Sequence, residues 1–231
     1  MPCIINIETS TKVCSVALTV DGMVVLNREE KNGPSHTSLL GGYVSEALGF
    51  IRKNNLKPDA VAVSCGPGSY TGLRIGVSMA KGVCFGLDIP LIAVSTTELL
   101  ACSVIFNEKC DEEALLCPMI DARRMEVYSA VYDRSLSPVE PVRANIICAD
   151  SFKEILNERK ILFFGDGAEK CKSEIKHPNA LFIDNIVPLA SSMLALSERS
   201  LRNGNFEDTA YFQPFYLKEF QATLPKNKIL H

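Results

Sequence analysis

Apolar residues in the first half of the chain recur with two different spacings, and each spacing predicts one kind of element. Short apolar runs separated by polar turns predict three strands, at residues 3–7, 14–20 and 23–29. From 37 to 54 the apolar residues recur every three to four positions, which predicts a helix. A buried strand (60–65), a glycine-rich helix (about 71–86), a strand (91–94) and a helix ending near Phe106 follow. Hairpin strands are therefore followed by a helix–strand–helix unit.

The second half of the chain repeats this order. Its predicted strands and extended stretches are 114–120, 125–132, 139–148, 161–165 and 180–183. Ser151 and Glu154 form a capping-box pair that predicts the start of one helix, and a final helix ends near Gly204. The repeated order predicts a duplicated α/β fold of two subdomains, which we divide into residues 1–106 and 107–231.

Charge and hydropathy narrow the classes of function. The chain carries 24 basic and 27 acidic side chains, a formal net charge of -3. A protein that binds nucleic acid alone usually has a basic face, so this balance argues against the chain being the main nucleic-acid contact. The amino-terminal sequence MPCIINIETS lacks the features of a secretion signal, and no segment is apolar enough to span a membrane. We therefore expect a cytoplasmic protein.

The cysteines and histidines do not have the spacing of a metal site. None of the nine cysteines is spaced Cys-x-x-Cys, and most lie in apolar runs, so we expect buried free thiols. His36 opens the first helix, where a second histidine one turn later would complete a pair of metal ligands on one face. Leu40 stands there instead, and His177 and His231 lie elsewhere. The sequence therefore argues against a metallohydrolase.

The turn after the first strand is rich in groups that can hold a phosphate. It consists of Glu8, Thr9, Ser10, Thr11 and Lys12. Hydroxyls, backbone N–H groups and an ammonium together can form an anion site. Serine and threonine are also common in ordinary turns, so a polar turn without a ligand is the alternative.

The stretch CGPGSYTGLRIGVSMAKG, at 65–82, joins a buried strand to a helix through a glycine-rich loop. It lacks the lysine that a Walker A loop has directly after its last glycine. Ser69 or Thr71 can cap the helix, whose first N–H groups form a potential anion site to which Arg74 would add charge. The candidate phosphate contacts on this loop are Gly66, Gly68 and Ser69.

Glycines inside this helix need a reason, because each costs about 1 kcal/mol relative to alanine. They form two stripes of small residues four apart, with Gly72, Gly76 and Ala80 in one and Ser78, Gly82 and Gly86 in the other. Small residues at this spacing let another backbone approach closely. The pattern indicates close packing, either within the chain or also against another subunit, more than a nucleotide loop.

Five segments, in this order, resemble the bacterial TsaB (YeaZ) family: INIETST, GPGSYTGLRIGVSMAKG, IPLIAVSTTELLA, DARRMEVYSAVYD and PFYLKEF. The resemblance spans most of the chain and is strongest over 65–101. It implies a fold of the actin/Hsp70/sugar-kinase (ASKHA) type, in agreement with the duplicated order. It also implies a non-catalytic scaffold subunit without catalytic residues of its own. Its TsaD-like paralogue would transfer threonylcarbamoyl from threonylcarbamoyl-AMP to N6 of adenosine 37 in transfer RNAs that read codons beginning with A.

The resemblance further implies the partners and the surface that meets them. A TsaE-like ATPase joins the pair, tRNA is met through the complex, and ATP and a metal belong to the partner subunits, so this chain binds no cofactor. Pairing would use the two amino-terminal helices, and a homodimer would form through them when the chain is alone. The candidate interface residues are His36, Leu40, Tyr43, Val44, Ala47, Gly72, Arg74, Ile75, Gly76, Met79 and Ala80.

The alternative function is an ATP-binding phosphotransferase or ATPase of the same fold. Its support is the polar turn after the first strand together with Gly165-Asp166-Gly167, which would face that turn across a cleft between the halves.

Overall fold

The computed structural model describes residues 2–31, 33, 36–107, 111 and 113–218, and two five-stranded sheets organise them. The first sheet consists of β1 (Cys3–Glu8), β2 (Cys14–Val20), β3 (Met23–Glu30), β4 (Ala60–Gly66) and β5 (Leu91–Ser95). Its order is β3-β2-β1-β4-β5, with β1 antiparallel to β2 and parallel to β4. The Asp21-Gly22 turn of the second hairpin has the positive φ angles that such a turn needs.

The second sheet repeats this topology. It consists of β6 (Leu115–Asp121), β7 (Glu126–Tyr132), β8 (Pro138–Ile146), β9 (Ile161–Phe164) and β10 (Ala180–Phe182). Read from β8, its order is β8-β7-β6-β9-β10, the counterpart of the first. The helices are α1 (His36–Lys53), α2 (Tyr70–Leu87), α3 (Thr96–Asn107), α4 (Lys153–Glu158), α5 (Ala168–Cys171) and α6 (Leu194–Asn203). The predicted duplicated α/β fold is confirmed.

Helices α1 and α2 pack against one face of the first sheet, because each has an apolar side that needs cover. In α1 the buried residues are Leu40, Val44, Ala47 and Ile51, the four that the helical spacing indicates. They join one core with residues of β1, β2 and β4. Burying each large aliphatic side chain contributes about 1.5–3 kcal/mol, so this core fixes both helices on the sheet.

Residues 190–203 return to the first sheet. A 3₁₀ turn (Ala190–Met193) and α6 pack against its other face, where Met193 and Leu196 join a core with residues of β1, β4 and β5. The backbone N–H of Ala190 donates to the Ser15 hydroxyl at 3.0 Å. Helix α6 therefore follows the second sheet in the chain but covers the first sheet.

Residues 205–218, which we call the tail, run from the first sheet to the second. The backbone N–H of Glu207 donates to the carbonyl of Leu91, and that of Phe215 to the carbonyl of Cys65, at 2.9 and 2.7 Å. At its end the ammonium of Lys218 lies 2.5 Å from the carboxylate of Glu126 in β7. The tail therefore joins the two halves over the loop that precedes α2.

The predicted capping box at the start of α4 is wrong. The residue before the helix is Phe152, with a left-handed φ of 61°, and no side chain caps the first turn. The hydroxyl of Ser151 instead accepts the backbone N–H of Cys148 at 2.9 Å. The Ser151 hydroxyl therefore takes part in a local turn and does not cap α4.

Candidate functional site

The polar turn after β1 lies inside the molecule. Glu8, Thr9 and Ser10 have no exposed surface, and Thr11 is 7% exposed. The carboxylate of Glu8 accepts hydrogen bonds from the Ser10 backbone N–H at 2.6 Å and from the hydroxyls of Ser10 and Ser64. Burial raises the pKa of Glu8, and these hydrogen bonds lower it by less. Most polar groups of the turn therefore bind each other and the neighbouring strand.

The glycines at the start of α2 let this helix approach the turn. A β-carbon on Gly72 would overlap the Thr9 carbonyl oxygen, and one on Gly76 would overlap the Thr9 hydroxyl. That hydroxyl donates to the carbonyl of Gly72 at 2.8 Å. The stripe that begins at Gly72 and Gly76 therefore serves packing within the chain.

The glycine-rich loop before α2 is filled in the same way by the chain itself. A β-carbon on Gly68 would overlap the carbonyl oxygen of Ser10, and one on Gly66 would meet that of Phe215 in the tail. Ser69 caps α2 as predicted, with its hydroxyl accepting the Gly72 N–H at 3.3 Å. Of the predicted phosphate contacts, only Lys12 and Ser69 are well exposed.

Of the two segments proposed for nucleotide binding, Lys12 and Asp166 influence each other electrostatically. The charge of Lys12 lowers the pKa of Asp166, although desolvation by the surrounding loops raises it by more. Asp166 accepts the backbone N–H of Asp121 at 3.0 Å. A β-carbon on Gly165 or Gly167 would overlap the backbone of β6. These glycines thus pack against the sheet.

Six of the eleven predicted interface residues are buried within the chain and have almost no surface for a partner. These are Leu40, Val44, Ala47, Gly72, Gly76 and Ala80. The prediction is corrected for them, because the apolar side of each helix packs against its own sheet. Tyr43, Ile75 and Met79 are half-buried, and Arg74 is exposed. Ring nitrogen Nε2 of His36 lies 2.9 Å from the carbonyl oxygen of Val13, which ties the start of α1 to the first sheet.

The outer stripe of α2 lines an apolar groove between α1 and α2, which we call the α1–α2 groove. Its lining residues are Leu48, Arg74, Ile75, Ser78, Met79, Gly82, Val83, Gly86 and Leu87. A β-carbon on Gly82 or Gly86 would meet nothing within 4 Å, so the backbone of α2 is open to a neighbour there. Phe85, beside the groove, is 88% exposed. Large apolar side chains exposed next to a groove are typical of an interaction surface.

Sequence analysis named Arg74, Ile75 and Met79 of this groove but missed Leu48 and Val83. The stripe of Ser78, Gly82 and Gly86 carried the signal, since its members face outward while the other stripe faces the sheet. Apolar spacing alone did not tell which stripe was buried.

Most thiols of the described residues are buried, and burial keeps them protonated. The eight described cysteines are free, and six of them are buried. Burial raises the pKa of the Cys65 thiol to about 12 and that of Cys84 to about 11. Cys148 is exposed and Cys65 partly so, and Cys110 lies outside the described residues. A thiol with a raised pKa is a poor nucleophile and metal ligand at neutral pH.

The part of the chain that the structure describes contains neither a metal-binding cluster nor a membrane-spanning helix. Its histidines, cysteines and carboxylates do not gather in any group of three or more that could hold a metal ion. Among its helices, none is both long and apolar enough to cross a membrane.

Known proteins resemble this chain in sequence and in fold. The family model described as TsaD: tRNA N6-adenosine threonylcarbamoyltransferase matches residues 30–223. The tRNA threonylcarbamoyladenosine biosynthesis protein TsaB of Bacillus subtilis is 33% identical over 177 residues, 75% of each chain. Its Escherichia coli K12 namesake is 29% identical, covering 93% of this chain and 94% of that protein. A Pseudomonas aeruginosa structure described as similar to the peptidase YeaZ has a TM-score of 0.80 at 24% identity, covering 94% of this chain and 100% of that one. This chain belongs to the TsaB (YeaZ) family.

Proposed function

We propose that this chain is the non-catalytic scaffold subunit of a complex that transfers a threonylcarbamoyl group to N6 of adenosine 37 in tRNA. The observation that carries the proposal is the α1–α2 groove, an exposed apolar surface with the backbone of α2 accessible at Gly82 and Gly86. The names of the relatives support a role in the biosynthesis of threonylcarbamoyladenosine in tRNA.

The partner that fits the groove is a TsaD-like paralogue with the same fold. A paralogue would present two helices of its own at the matching place, so that four helices would pack together around the groove. Large side chains such as Phe85 and Leu87, 88% and 42% exposed, would then become buried. A second copy of this chain offers the same surface, which supports a homodimer in the absence of the paralogue.

The chemistry of the described residues supports assigning catalysis to the partner. On α1, where a metal-binding pair would need two imidazoles, His36 is followed one turn later by the buried Leu40. The His36 ring is also engaged by the carbonyl of Val13. We propose that this chain binds no cofactor and that ATP and a metal ion belong to the TsaD-like and TsaE-like subunits.

Co-expression with the TsaD-like paralogue tests the proposal. We expect the two chains to co-elute from a size-exclusion column at micromolar concentration. We also expect transfer of threonylcarbamoyl to tRNA to require both chains and the ATPase. Separate elution of the two chains, or full transferase activity without this chain, would contradict the scaffold role.

An ATP-dependent phosphotransferase or ATPase is the second candidate, and the charge of Lys12 acting on Asp166 favours it. The buried, internally bonded state of Thr9 and Ser10 speaks against it, because these groups are not free for a phosphate. Calorimetric titration of the isolated chain with ATP separates the two functions. Saturable binding with turnover, both lost in Lys12→Ala, would replace the scaffold proposal.

A further inference from the structure

The turn between β6 and β7 places two arginines in a backbone conformation that arginine disfavours. Arg123 and Arg124 have φ angles of 70° and 50°. The turn is closed by hydrogen bonds from Ala122 N–H to the Glu126 carbonyl and from Glu126 N–H to the Arg123 carbonyl, both 3.1 Å. Left-handed backbone favours glycine, asparagine and aspartate, and other residues adopt it at a cost. The backbone gives no reason for two arginines here, so the reason must be sought in their side chains.

The cations around this turn already have partners. The ammonium of Lys170 pairs with the carboxylate of Asp121 and donates to the Glu126 carbonyl at 2.7 Å. The ammonium of Lys218 holds both carboxylate oxygens of Glu126, at 2.5 and 2.6 Å. The turn's own carboxylates, those of Asp121 and Glu126, are therefore engaged by these two lysines.

The two guanidinium groups, in contrast, project from the tip of the turn. Arg123 and Arg124 are both exposed, and neither side chain pairs with a carboxylate of the residues that the structure describes. Positive charge at the tip of this turn therefore lies on these two neighbours. In a chain of net charge -3 the result is a local cationic point rather than a basic face.

We propose that Arg123 and Arg124 bind phosphate groups of the tRNA backbone. A guanidinium matches a phosphate with two parallel hydrogen bonds and keeps its charge at any physiological pH. An RNA strand carries a phosphate at every nucleotide, so two adjacent arginines find ligands without reading the base sequence. This inference rests on the proposed function, in which tRNA is the substrate of the complex, and it adds a direct contact from this chain.

The position of the turn suits this role. The rings of Tyr70, in the first turn of α2, and Tyr216, in the tail, lie 4.8 Å apart between centroids. Two residues later Lys218 reaches Glu126, so the arginine turn lies near the amino-terminal end of α2. Neither arginine lines the α1–α2 groove, so a partner seated there would not need to cover them.

Titration of fluorescently labelled tRNA at several salt concentrations tests the contact. It is run on the complex with the TsaD-like paralogue and on the chain alone. The double variant Arg123→Ala/Arg124→Ala is compared with Lys57→Ala/Arg202→Ala, which removes the same charge elsewhere. The arginine variant should bind RNA about 5–30-fold more weakly at low salt and flatten the plot of log affinity against log salt by about 1–2. Equal affinity and slope for the two double variants would overturn the proposal.

Co-elution with the paralogue separates this inference from the scaffold role. The arginine variant should co-elute as the wild type does. Loss of co-elution with unchanged RNA binding would show that the arginines bind an acidic protein surface, which overturns the RNA contact. If the wild-type chain fails to co-elute, the scaffold proposal fails, and the titration of the chain alone still decides the role of the arginines.

A second variant uses the backbone. Arg123→Gly/Arg124→Asn places residues that tolerate left-handed φ at both positions, so it should raise Tm by about 2–4 °C. It should weaken RNA binding as much as the alanine variant does. A lower Tm would mean that the arginine side chains stabilise the fold, and the proposal would be overturned.

Discussion

Helix α2 carries two stripes of small residues with the same spacing, and their surroundings are opposite. Gly72 and Gly76 lie against the turn after β1, with no room for a β-carbon. Gly82 and Gly86 lie in the α1–α2 groove, where a β-carbon would meet nothing within 4 Å. The same residue type therefore serves the core on one side of the helix and leaves a docking surface on the other.

The largest effect is expected at the stripe of Gly72 and Gly76, which we call the inner stripe. Gly76→Leu would drive a side chain into Thr9 and its hydrogen bond to the Gly72 carbonyl. Overpacking of this kind costs about 3 kcal/mol, which lowers Tm by about 6–12 °C in a chain of this size. Thermal unfolding of the purified variant measures it. An unchanged Tm would mean that the inner stripe is not a close contact.

A smaller, pH-dependent effect is expected at the turn after β1, which the inner stripe contacts. Because burial raises the pKa of Glu8, its neutral form is favoured in the folded state. The stability it contributes is fully present below the unfolded pKa and is lost as pH rises through the folded pKa. Glu8→Gln stays neutral, so its Tm relative to the wild type should rise as the pH increases above about 4.3, the ordinary pKa of glutamate. A difference in Tm that does not vary with pH would contradict the raised pKa.

The smallest effect is expected at the rim of the groove. The guanidinium of Arg74 lies 5.1 Å from the centre of the Tyr70 ring and donates to its hydroxyl at 3.0 Å, in an exposed position. Such a contact contributes about 0.5–1 kcal/mol, so Arg74→Ala should shift Tm by less than about 4 °C. Its affinity for the paralogue should fall less than tenfold. If Arg74→Ala abolished pairing as completely as a substitution at the groove floor, the binding energy would lie at the rim instead.

Local patterns were enough to predict most of the fold. The strands β1, β2 and β4 are continuous apolar runs, and the buried side of α1 follows the helical spacing. Those signals lie within a few residues of each other. The start of α2 was also predicted, because Ser69 is a strong helix cap.

The rest depends on contacts between distant residues. The contact between Thr9 and α2 decides which glycine stripe is buried. Thr9 lies 63 positions before Gly72 in the chain. The packing of α6 on the first sheet likewise depends on the chain topology. The apolar spacing within α6 does not indicate which sheet it covers. The left-handed backbone of the arginine turn could not be predicted either, because arginine disfavours that conformation.

The measurement that tests the central claim most directly is the dissociation constant between this chain and its TsaD-like paralogue for two matched variants. Gly82→Leu fills the α1–α2 groove, whereas Gly42→Leu makes the same change at an exposed glycine of α1 that also has open space around it. Gly42 lies one turn from Glu46, which bonds Arg28 of β3, and it does not line the groove. Both variants should stay folded, because leucine is the better helix former. We predict that Gly82→Leu weakens pairing at least tenfold and that Gly42→Leu leaves it unchanged; equal affinities would contradict the assignment of the groove as the partner surface.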